Sequence, residues 1–483
     1  MDGVFFHKPL ARNEAVQAKI VQRRRERELE RDATASAPDL SSAQTLNTPN
    51  LSGSDSPSSP SMHRTLSGNQ LSLQRWDTTL DTTPMNKSAH STSGSTSGAS
   101  ASTSGANSES GLSANPFELR YGRRYLKDIP YALPCDLAEM HRESLRTLLG
   151  VAAFDKAACA PNVSLKAPKK VLEIGCGSAY WTSSCHEYFQ GLGSSAVSFT
   201  GVDIAPLAPD LKRQGIDWTF VRHDLRQMPW PFANEEFDYV MVKDMSLAVP
   251  QGEMWQIFMD ECIRILAAGG ALEIWESDHV LRSVSPDPPP PPPGTDRGDV
   301  EHADSTRTFL ITPGASFPAA QDKHIQSSNE WIEAALAKRN LTSTPCARVA
   351  SVLYQESDTL SDFGSRRVAI PLRELPWEKE RLEIQQSRKH SRAGTGGKLT
   401  TSRSPKSSSS LTPEQAALRY TALLTTTQKI ESLEPLLRHA SGKNADEWST
   451  WWASMMSSMF EGEGASSGEC LEIGAWWATK RTV

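Results

Sequence analysis

An apolar run that leads straight into a glycine-rich turn near residue 175 limits the fold of this chain. Residues 171–174 read Val-Leu-Glu-Ile, which is typical of a buried strand, and the turn Gly175-Cys176-Gly177 follows directly. A helix is predicted over Trp181–Phe189. Further strands are predicted, with helices between them, at residues 197–203, 218–221, 237–242 and 271–275. Strands that alternate with helices predict an α/β fold with a doubly wound parallel sheet.

The end of the chain contains one more strand pattern, at Leu471–Trp477. If this strand lies antiparallel to the fifth strand, the sheet becomes a Rossmann-like sheet of seven strands. A further strand is predicted at Arg367–Pro371, and helices over 413–460 then form an insertion between the last two strands. The doubled glycine at 269–270 predicts the end of the helix that precedes the fifth strand.

Long polar stretches flank and interrupt this pattern. Ser, Thr, Asn, Gly and Pro dominate Ala33–Ala114, which leaves too little apolar surface to offset the entropy of ordering the chain. We therefore predict a disordered tail over 1–115, with one charged helix at Ala15–Arg31, and a folded domain over 116–483. Disordered insertions are predicted at about 284–305, around a proline tract, and at about 387–410.

The first helix of the folded domain is predicted to begin at Asp136. Its carboxylate is a suitable N-cap, and Glu139 lies three residues later, as in a capping box. The apolar face of this helix is predicted from spacing, and its members are Leu137, Met140, Leu145, Leu148 and Leu149.

Composition narrows the classes of partner. The net charge of −6 provides no global positive field, which disfavours nucleic acid as a partner. The first residues lack the pattern of a signal peptide, and no run approaches the roughly 18 apolar residues that a membrane span requires. We expect no membrane association and a location in the cytoplasm, the nucleus or both. The seven cysteines include no C-x-x-C pair and no His/Cys cluster, so we expect free thiols and no metal site.

The glycine-rich turn has the features of a nucleotide-type ligand site. Gly175 and Gly177 allow the backbone to turn tightly and to approach a ligand closely. A dinucleotide enzyme would need a small residue where this chain has Tyr180. Glu173 would repel a pyrophosphate, but it suits a ligand that carries sulfonium and ammonium charges. These residues disfavour an NAD-dependent oxidoreductase.

Two more acidic residues follow the next two strands. Asp203 ends the second strand, where a carboxylate can accept both hydroxyls of a ribose. Asp224 follows the third strand and can accept from an adenine amino group, with Leu225 against the ring. Each aspartate taken alone is more typical of a turn or helix cap than of a ligand site. Their order along the carboxyl ends of the strands favours an adenosine site.

These residues resemble those of class I S-adenosylmethionine-dependent methyltransferases of the type 11 group. Glu173–Ala179 is similar to motif I of that family, although Ala179 stands where many members have a third glycine. The resemblance implies S-adenosylmethionine as cofactor. Residues 131–139 also resemble the leading segment of fungal methyltransferases that include regulators of secondary metabolism.

Residues for the methyl acceptor are expected beyond the fourth and fifth strands. Asp244 and His279 lie there and are our candidates for a base or an orienting pair, although strand-end Asp and loop His residues are commonly ordinary surface residues. The Asn/Asp-Pro-Pro-aromatic motif is absent after the fourth strand, which disfavours methylation of base or glutamine nitrogens. The sequence predicts a methyltransferase for an unidentified small-molecule or protein acceptor. The alternative is a regulatory protein that keeps this fold and binds protein partners through its disordered flanks.

Overall fold

The structure is a computed structural model, which describes the chain from residue 116 onwards, with gaps. The described residues are 116–194, 196–286, 295–312, 317–381, 384, 409–461, 464 and 467–482. The predicted tail 1–115 with its charged helix lies outside these residues, as do the proline tract 288–293 and most of the predicted insertion 387–410.

Most described strands belong to one mixed sheet. The strands are β1 (Phe117–Arg120), β2 (Arg123–Leu126), β3 (Lys170–Ile174), β4 (Ser198–Asp203), β5 (Asp217–Arg222), β6 (Phe237–Lys243), β7 (Leu266–Ser277), β8 (Arg282–Ser283), β9 (Phe309–Leu310), β10 (Leu360–Pro371) and β11 (Glu469–Lys480). β1 and β2 form a separate antiparallel hairpin, and the sheet has the order β5-β4-β3-β6-β7-β11-β10-β9, with β8 paired to β11.

The register of the sheet confirms the predicted fold class. Five strands pair in parallel in the order β5, β4, β3, β6 and β7, as predicted for the doubly wound part of the sheet. β11 enters antiparallel between β7 and β10, with Ala475 opposite Trp275. The short strands β8 and β9 extend the predicted seven-stranded sheet to nine strands among the described residues.

α-Helices lie between many of the strands, although among the described residues none lies between β4 and β5 or between β5 and β6. They are α1 (Leu137–Phe154), α2 (Pro161–Leu165), α3 (Tyr180–Gly191), α4 (Glu253–Ile265), α5 (Arg297–Thr306), α6 (Lys323–Ala337), α7 (Val349–Gln355), α8 (Pro413–Ser432), α9 (Glu434–Ser441) and α10 (Ala445–Phe460). The last three lie between β10 and β11, where the helical insertion was expected. α8 packs on α1, whereas α9 and α10 pack on α6.

Several local features differ from the sequence-based expectations. Residues 297–306, within the segment expected to be disordered, form α5, because Asp296 caps the helix by accepting a hydrogen bond from the backbone N–H of Asp299. The glycines at 269–270 lie inside β7 and do not end a helix; α4 already stops at Ile265.

Asp136 caps α1 as predicted, by accepting from the backbone N–H of Glu139. The Glu139 side chain does not complete a capping box, because its carboxylate bonds Arg142 and Ser432. Leu137 and Leu148 were predicted to lie on the buried face of α1, but they are 72% and 47% exposed. The face of α1 that packs inward is more polar than the spacing suggested.

In the core of the parallel half of the sheet, a buried tryptophan joins α3 to β6. Trp181 on α3 is fully buried and contacts Tyr239 of β6 edge to face. Its indole N–H donates to the carbonyl of Ala157 at 2.8 Å.

All seven cysteines are buried free thiols. Among the described residues, no helix is long and apolar enough to cross a membrane.

Candidate functional site

A cavity opens at the carboxyl ends of β3, β4, β5 and β6, and α1 closes its side. The empty space, including the open mouth, is about 1360 Å³. The residues proposed from sequence that line it are Glu173, Gly175, Gly177, Tyr180, Asp203, Asp224, Leu225 and Asp244. Carboxyl ends of parallel strands are where ligands bind in open α/β sheets. The order of the strands therefore brings most of the predicted site together.

The glycine-rich turn requires glycine at both predicted positions. Gly175 and Gly177 have φ angles of +64° and +48°, in the left-handed region that favours glycine. A Cβ on Gly175 would lie 2.6 Å from the sulfur of Met245. A Cβ on Gly177 would lie 3.2 Å from Oε2 of Glu143. Side chains at these positions would fill the space between the turn and the opposite wall.

Ala179, where many family members have a third glycine, occupies a strained position. It precedes α3 with φ +55° and is fully buried. An alanine in this region costs about 1 kcal/mol relative to glycine. The chain therefore adopts the backbone that glycine would favour, and the side chain fits because it is a single methyl group.

Glu173 lies beneath the turn and is almost fully buried. Its Oε2 accepts from the backbone N–H of Thr182 at 3.2 Å and from the Thr182 hydroxyl at 2.6 Å. Burial raises the pKa of Glu173 to about 7, although the bonds from Thr182 oppose this shift. The carboxylate thus holds the first turn of α3 against the end of β3.

Asp203 connects the glycine-rich turn to the loop after β4. Its Oδ2 accepts from the backbone N–H of Gly177 at 2.9 Å, and its Oδ1 accepts from that of Ala205 at 3.0 Å. Burial raises the pKa of Asp203, while these two bonds lower it. Asp203 also lines the cavity.

Asp224 has a charged partner that was not predicted. Arg226 donates to it through Nε at 2.9 Å and through Nη2 at 2.8 Å, which is a bidentate pair. Burial alone would raise the pKa of Asp224, but Arg226 lowers it below its ordinary value. Leu225 lines the same end of the cavity, and its carbonyl accepts from the indole of Trp230 at 3.0 Å.

Asp244 lies directly after β6, with φ +54°, and faces the cavity. Lys243 donates to its Oδ2 at 2.7 Å, and Arg146 of α1 lies 3.7 Å from its Oδ1. Burial would raise the pKa of Asp244, but Lys243 and Arg146 hold it well below its ordinary range. A carboxylate with such a low pKa is a weak base.

His279 does not join Asp244 as the expected pair. The His279 ring is buried, and it is not among the described residues that line the cavity. Its Nε2 lies 3.0 Å from Oγ of Ser246, and its Nδ1 lies 3.4 Å from Nζ of Lys429. Burial and the nearby Lys429 hold the pKa of His279 well below its ordinary value. The prediction placed His279 beside Asp244 because both follow neighbouring strands, but the loop after β7 turns towards α8.

Two glutamates of α1 line the cavity without having been predicted. Glu139 bonds Arg142 of its own helix and Ser432 of α8, whereas Glu143 faces the glycine-rich turn. The spacing of four residues was the available signal, because it puts both carboxylates on one face of the helix. Glu139 was predicted to complete a capping box instead, and Glu143 was given no role. Among the described residues, no group of three or more His, Cys, Asp and Glu side chains could hold a metal ion.

Comparison with known families agrees with this geometry. Residues 171–270, from β3 into β7, match a family model described as a methyltransferase domain. Residues 171–270 therefore have the sequence pattern of a methyltransferase domain. The methyltransferase match spans the glycine-rich turn and the strand ends that carry Asp203, Asp224 and Asp244. α1 and the helical insertion lie outside it.

Methyltransferases from two organisms are similar to part of the chain. Methyltransferase str2 of Strobilurus tenacellus is 28% identical over 32% of this chain and 50% of its own length. Methyltransferase str3 of the same organism is 30% identical over 31% of this chain and 49% of its own. Demethylmenaquinone methyltransferase of Tropheryma whipplei (strain Twist) is 27% identical over 28% of this chain and 52% of its own. The chain spans about half the length of the curated relatives it matches.

Proposed function

We propose that this chain binds S-adenosylmethionine and transfers its methyl group to an unidentified small-molecule or protein acceptor. The observation that carries the proposal is the order of the lining acids: Glu173 at β3, Asp203 at β4 and Asp224 after β5. These positions match the order of the methionine end, the ribose and the adenine in one extended ligand. The family match over 171–270 supports the same assignment.

The residues of the cavity fit such a ligand. Asp224 and Leu225 would hold the adenine, and Asp203 would accept from the ribose hydroxyls. The turn at Gly175 and Gly177 leaves room for the methionine end, since a Cβ at either position would close the space. S-adenosylmethionine, when bound, supplies a methyl carbon activated by positive sulfur. The protein's part is to align the acceptor and exclude competing geometries.

Direct binding tests the proposal. Titration calorimetry of residues 116–483 with S-adenosylmethionine, S-adenosylhomocysteine and NAD should show binding of the first two and much weaker binding of NAD. The physical reason is that acidic groups line the turn where a dinucleotide would place its pyrophosphate. An absence of binding, or a preference for NAD, would contradict the assignment.

Asp244 would orient the acceptor rather than remove its proton. Its carboxylate is ionised throughout the neutral pH range, because Lys243 and Arg146 keep its pKa low, so it has little tendency to take up a proton. The side chain of Asp244 lines the cavity and is 34% exposed. It can therefore accept a hydrogen bond from a donor on the acceptor molecule.

Asp244→Asn distinguishes the two roles by magnitude. Loss of a general base would lower methyl transfer by about 10²- to 10⁴-fold, whereas an orienting residue should cost less than about 10²-fold. We expect the smaller loss, with S-adenosylhomocysteine affinity within about twofold of wild type. In the assay, the purified protein transfers labelled methyl groups from S-adenosylmethionine to extracts of source cells that lack the gene. The label is then measured separately in the small molecules and in the proteins.

The same assay addresses the alternative function. A protein that binds S-adenosylmethionine but labels neither fraction would favour a regulator acting through protein partners on its flanks. The resemblance of the segment before α1 to fungal methyltransferases, some of them regulators, supports keeping this second candidate.

For either function we propose a location in the cytoplasm, the nucleus or both.

A further inference from the structure

Six carboxylates line the cavity, and five of them are committed to donors of the protein itself. Glu139 accepts from Arg142 and Ser432, and Glu173 accepts from Thr182. Asp203 accepts from the backbone of Gly177 and Ala205. Asp224 accepts from Arg226, and Asp244 accepts from Lys243. The sixth is Glu143. Among the described residues its carboxylate has no hydrogen-bond donor, and its nearest cation, Nη2 of Arg142, lies 4.0 Å from Oε1.

Glu143 lies opposite the glycine-rich turn. It is on α1, with 28% of its side chain exposed, and its Oε2 is 3.2 Å from the point where a Cβ on Gly177 would lie. The nearby Arg142 cannot serve it well, because that guanidinium donates twice to Oε1 of Glu139, through Nε at 2.7 Å and Nη2 at 2.5 Å. A partly buried carboxylate without a donor is costly unless a ligand supplies one.

We propose that Glu143 binds the ammonium group of the methionine end of S-adenosylmethionine. This inference rests on the proposed function and names the residue that recognises one end of the cofactor. With adenine at Asp224 and ribose at Asp203, the rest of the ligand extends over the turn between Gly175 and Gly177. Glu143 faces that turn from the opposite wall. Its charge and its free lone pairs suit a donor with three N–H groups.

Glu173 is less suited to the same task. Only 1% of its surface is exposed, and one of its oxygens already accepts two bonds from Thr182. It shapes the turn from below, whereas the ammonium would approach from the cavity. Glu143 also lies outside the segment that matches the family model, on the helix that precedes α2 and β3.

The electrostatic surroundings make the proposed contact measurable. Burial raises the pKa of Glu143 to about 7; Glu139 and Asp244 raise it as well, whereas Arg142 and Lys243 lower it. Tyr131 and Cys135, in the segment before α1, also interact with this carboxylate, and burial keeps both of them neutral by raising their pKa values. A bound ammonium stabilises the ionised form of Glu143. Ligand binding near pH 7 should therefore release a proton from the fraction of molecules in which Glu143 is protonated.

The experiment compares Glu143→Gln with wild type by calorimetry, using two ligands. S-adenosylhomocysteine carries the ammonium, and 5′-methylthioadenosine lacks the whole amino-acid part. We expect Glu143→Gln to weaken S-adenosylhomocysteine by about 10- to 100-fold and methylthioadenosine by less than about threefold. Titrations in two buffers of different ionisation enthalpy should show proton release for wild type with S-adenosylhomocysteine, and less release for the variant.

Two further variants make the result decisive. Glu330→Gln, on the exposed face of α6, removes the same charge away from the cavity and should leave both affinities unchanged. Glu143→Asp keeps the charge on a shorter side chain and should restore part of the lost affinity.

The outcomes separate this inference from the proposed function. Unchanged S-adenosylhomocysteine affinity in Glu143→Gln, with normal wild-type binding, would overturn the ammonium contact alone. Equal losses for both ligands would also overturn it, because they would indicate a structural effect. Failure of wild type to bind S-adenosylhomocysteine would overturn the proposed function together with this contact.

Discussion

Arg419→Met should lower the free energy of unfolding by about 3–5 kcal/mol, because it leaves a buried carboxylate without its partner. Arg419 lies on α8 with 1% of its surface exposed, and it donates to both oxygens of Glu378 at 2.7 and 2.8 Å. The same guanidinium donates to the carbonyls of Arg373 and Arg307, each at 2.9 Å. This one side chain therefore joins three separate segments. Chemical denaturation followed by tryptophan fluorescence measures the loss.

A matched surface pair provides the control. Arg438 and Glu434 lie one turn apart on α9, and both side chains are about one-third exposed, at 31% and 38%. Arg438→Met should cost less than about 1 kcal/mol, because exposed ion pairs contribute little. The double variant Arg419→Met with Glu378→Leu should recover much of the loss, since no unpaired charge remains. A single-variant loss below about 1 kcal/mol would show that the buried pair is not a determinant of stability.

The packing of α8 that Arg419 stabilises also affects the cavity, because α8 contacts Glu139 in the cavity lining. Ser432 of α8 donates to Glu139 at 2.6 Å, and Lys429 lies 3.4 Å from the His279 ring. Burial, together with Arg146 and Arg142, lowers the pKa of Lys429 to about 7. The helical insertion, which lies outside the family match, thus forms a polar interface with α1. Variants that loosen α8 should disturb the cofactor site indirectly.

The parallel half of the fold was predictable because its signals are local. Each strand from β3 to β7 is a short apolar run, and chirality and connection rules constrain the order of such strands. The positions of Glu173, Asp203 and Asp224 follow from that order, because each ends or follows a strand at the same edge of the sheet. The final antiparallel strand β11 was predicted from its own apolar run at Leu471–Trp477, and it pairs with β7 as expected.

The rest of the site depends on contacts between distant parts of the chain. Glu143 was missed because a single carboxylate on a helix carries no signal of its own, and its position opposite the glycine-rich turn is visible only once α1 lies beside that turn. His279 was predicted to lie at the cavity because its strand ends there, but its ring is buried between Ser246 and Lys429 of α8. The low pKa of Asp244 comes first from the neighbouring Lys243 and then from Arg146, which lies nearly one hundred residues earlier in the chain. Sequence spacing carries no information on such pairings.

Asp203→Ala should weaken S-adenosylhomocysteine binding by about 10²- to 10⁴-fold, the largest functional effect that the cavity predicts. The substitution removes the acceptor proposed for two ribose hydroxyls, each a charge-assisted bond. It also removes the acceptor of the Gly177 and Ala205 backbone N–H groups, which lie 2.9 and 3.0 Å from the carboxylate. The glycine-rich turn would lose one of its supports at the same time. Calorimetry on folded protein measures the loss.

The two contributions separate when the ligand is changed along with the protein. Loss of a ribose hydroxyl from S-adenosylhomocysteine should weaken binding to wild type but cost little further in Asp203→Ala, because the partner is already absent. If both changes add fully, Asp203 supports the turn and does not contact the ribose. Asp217→Ala, an exposed carboxylate at the start of β5, is the matched control and should bind normally. Binding by Asp203→Ala within about threefold of wild type would remove this residue from the cofactor site altogether.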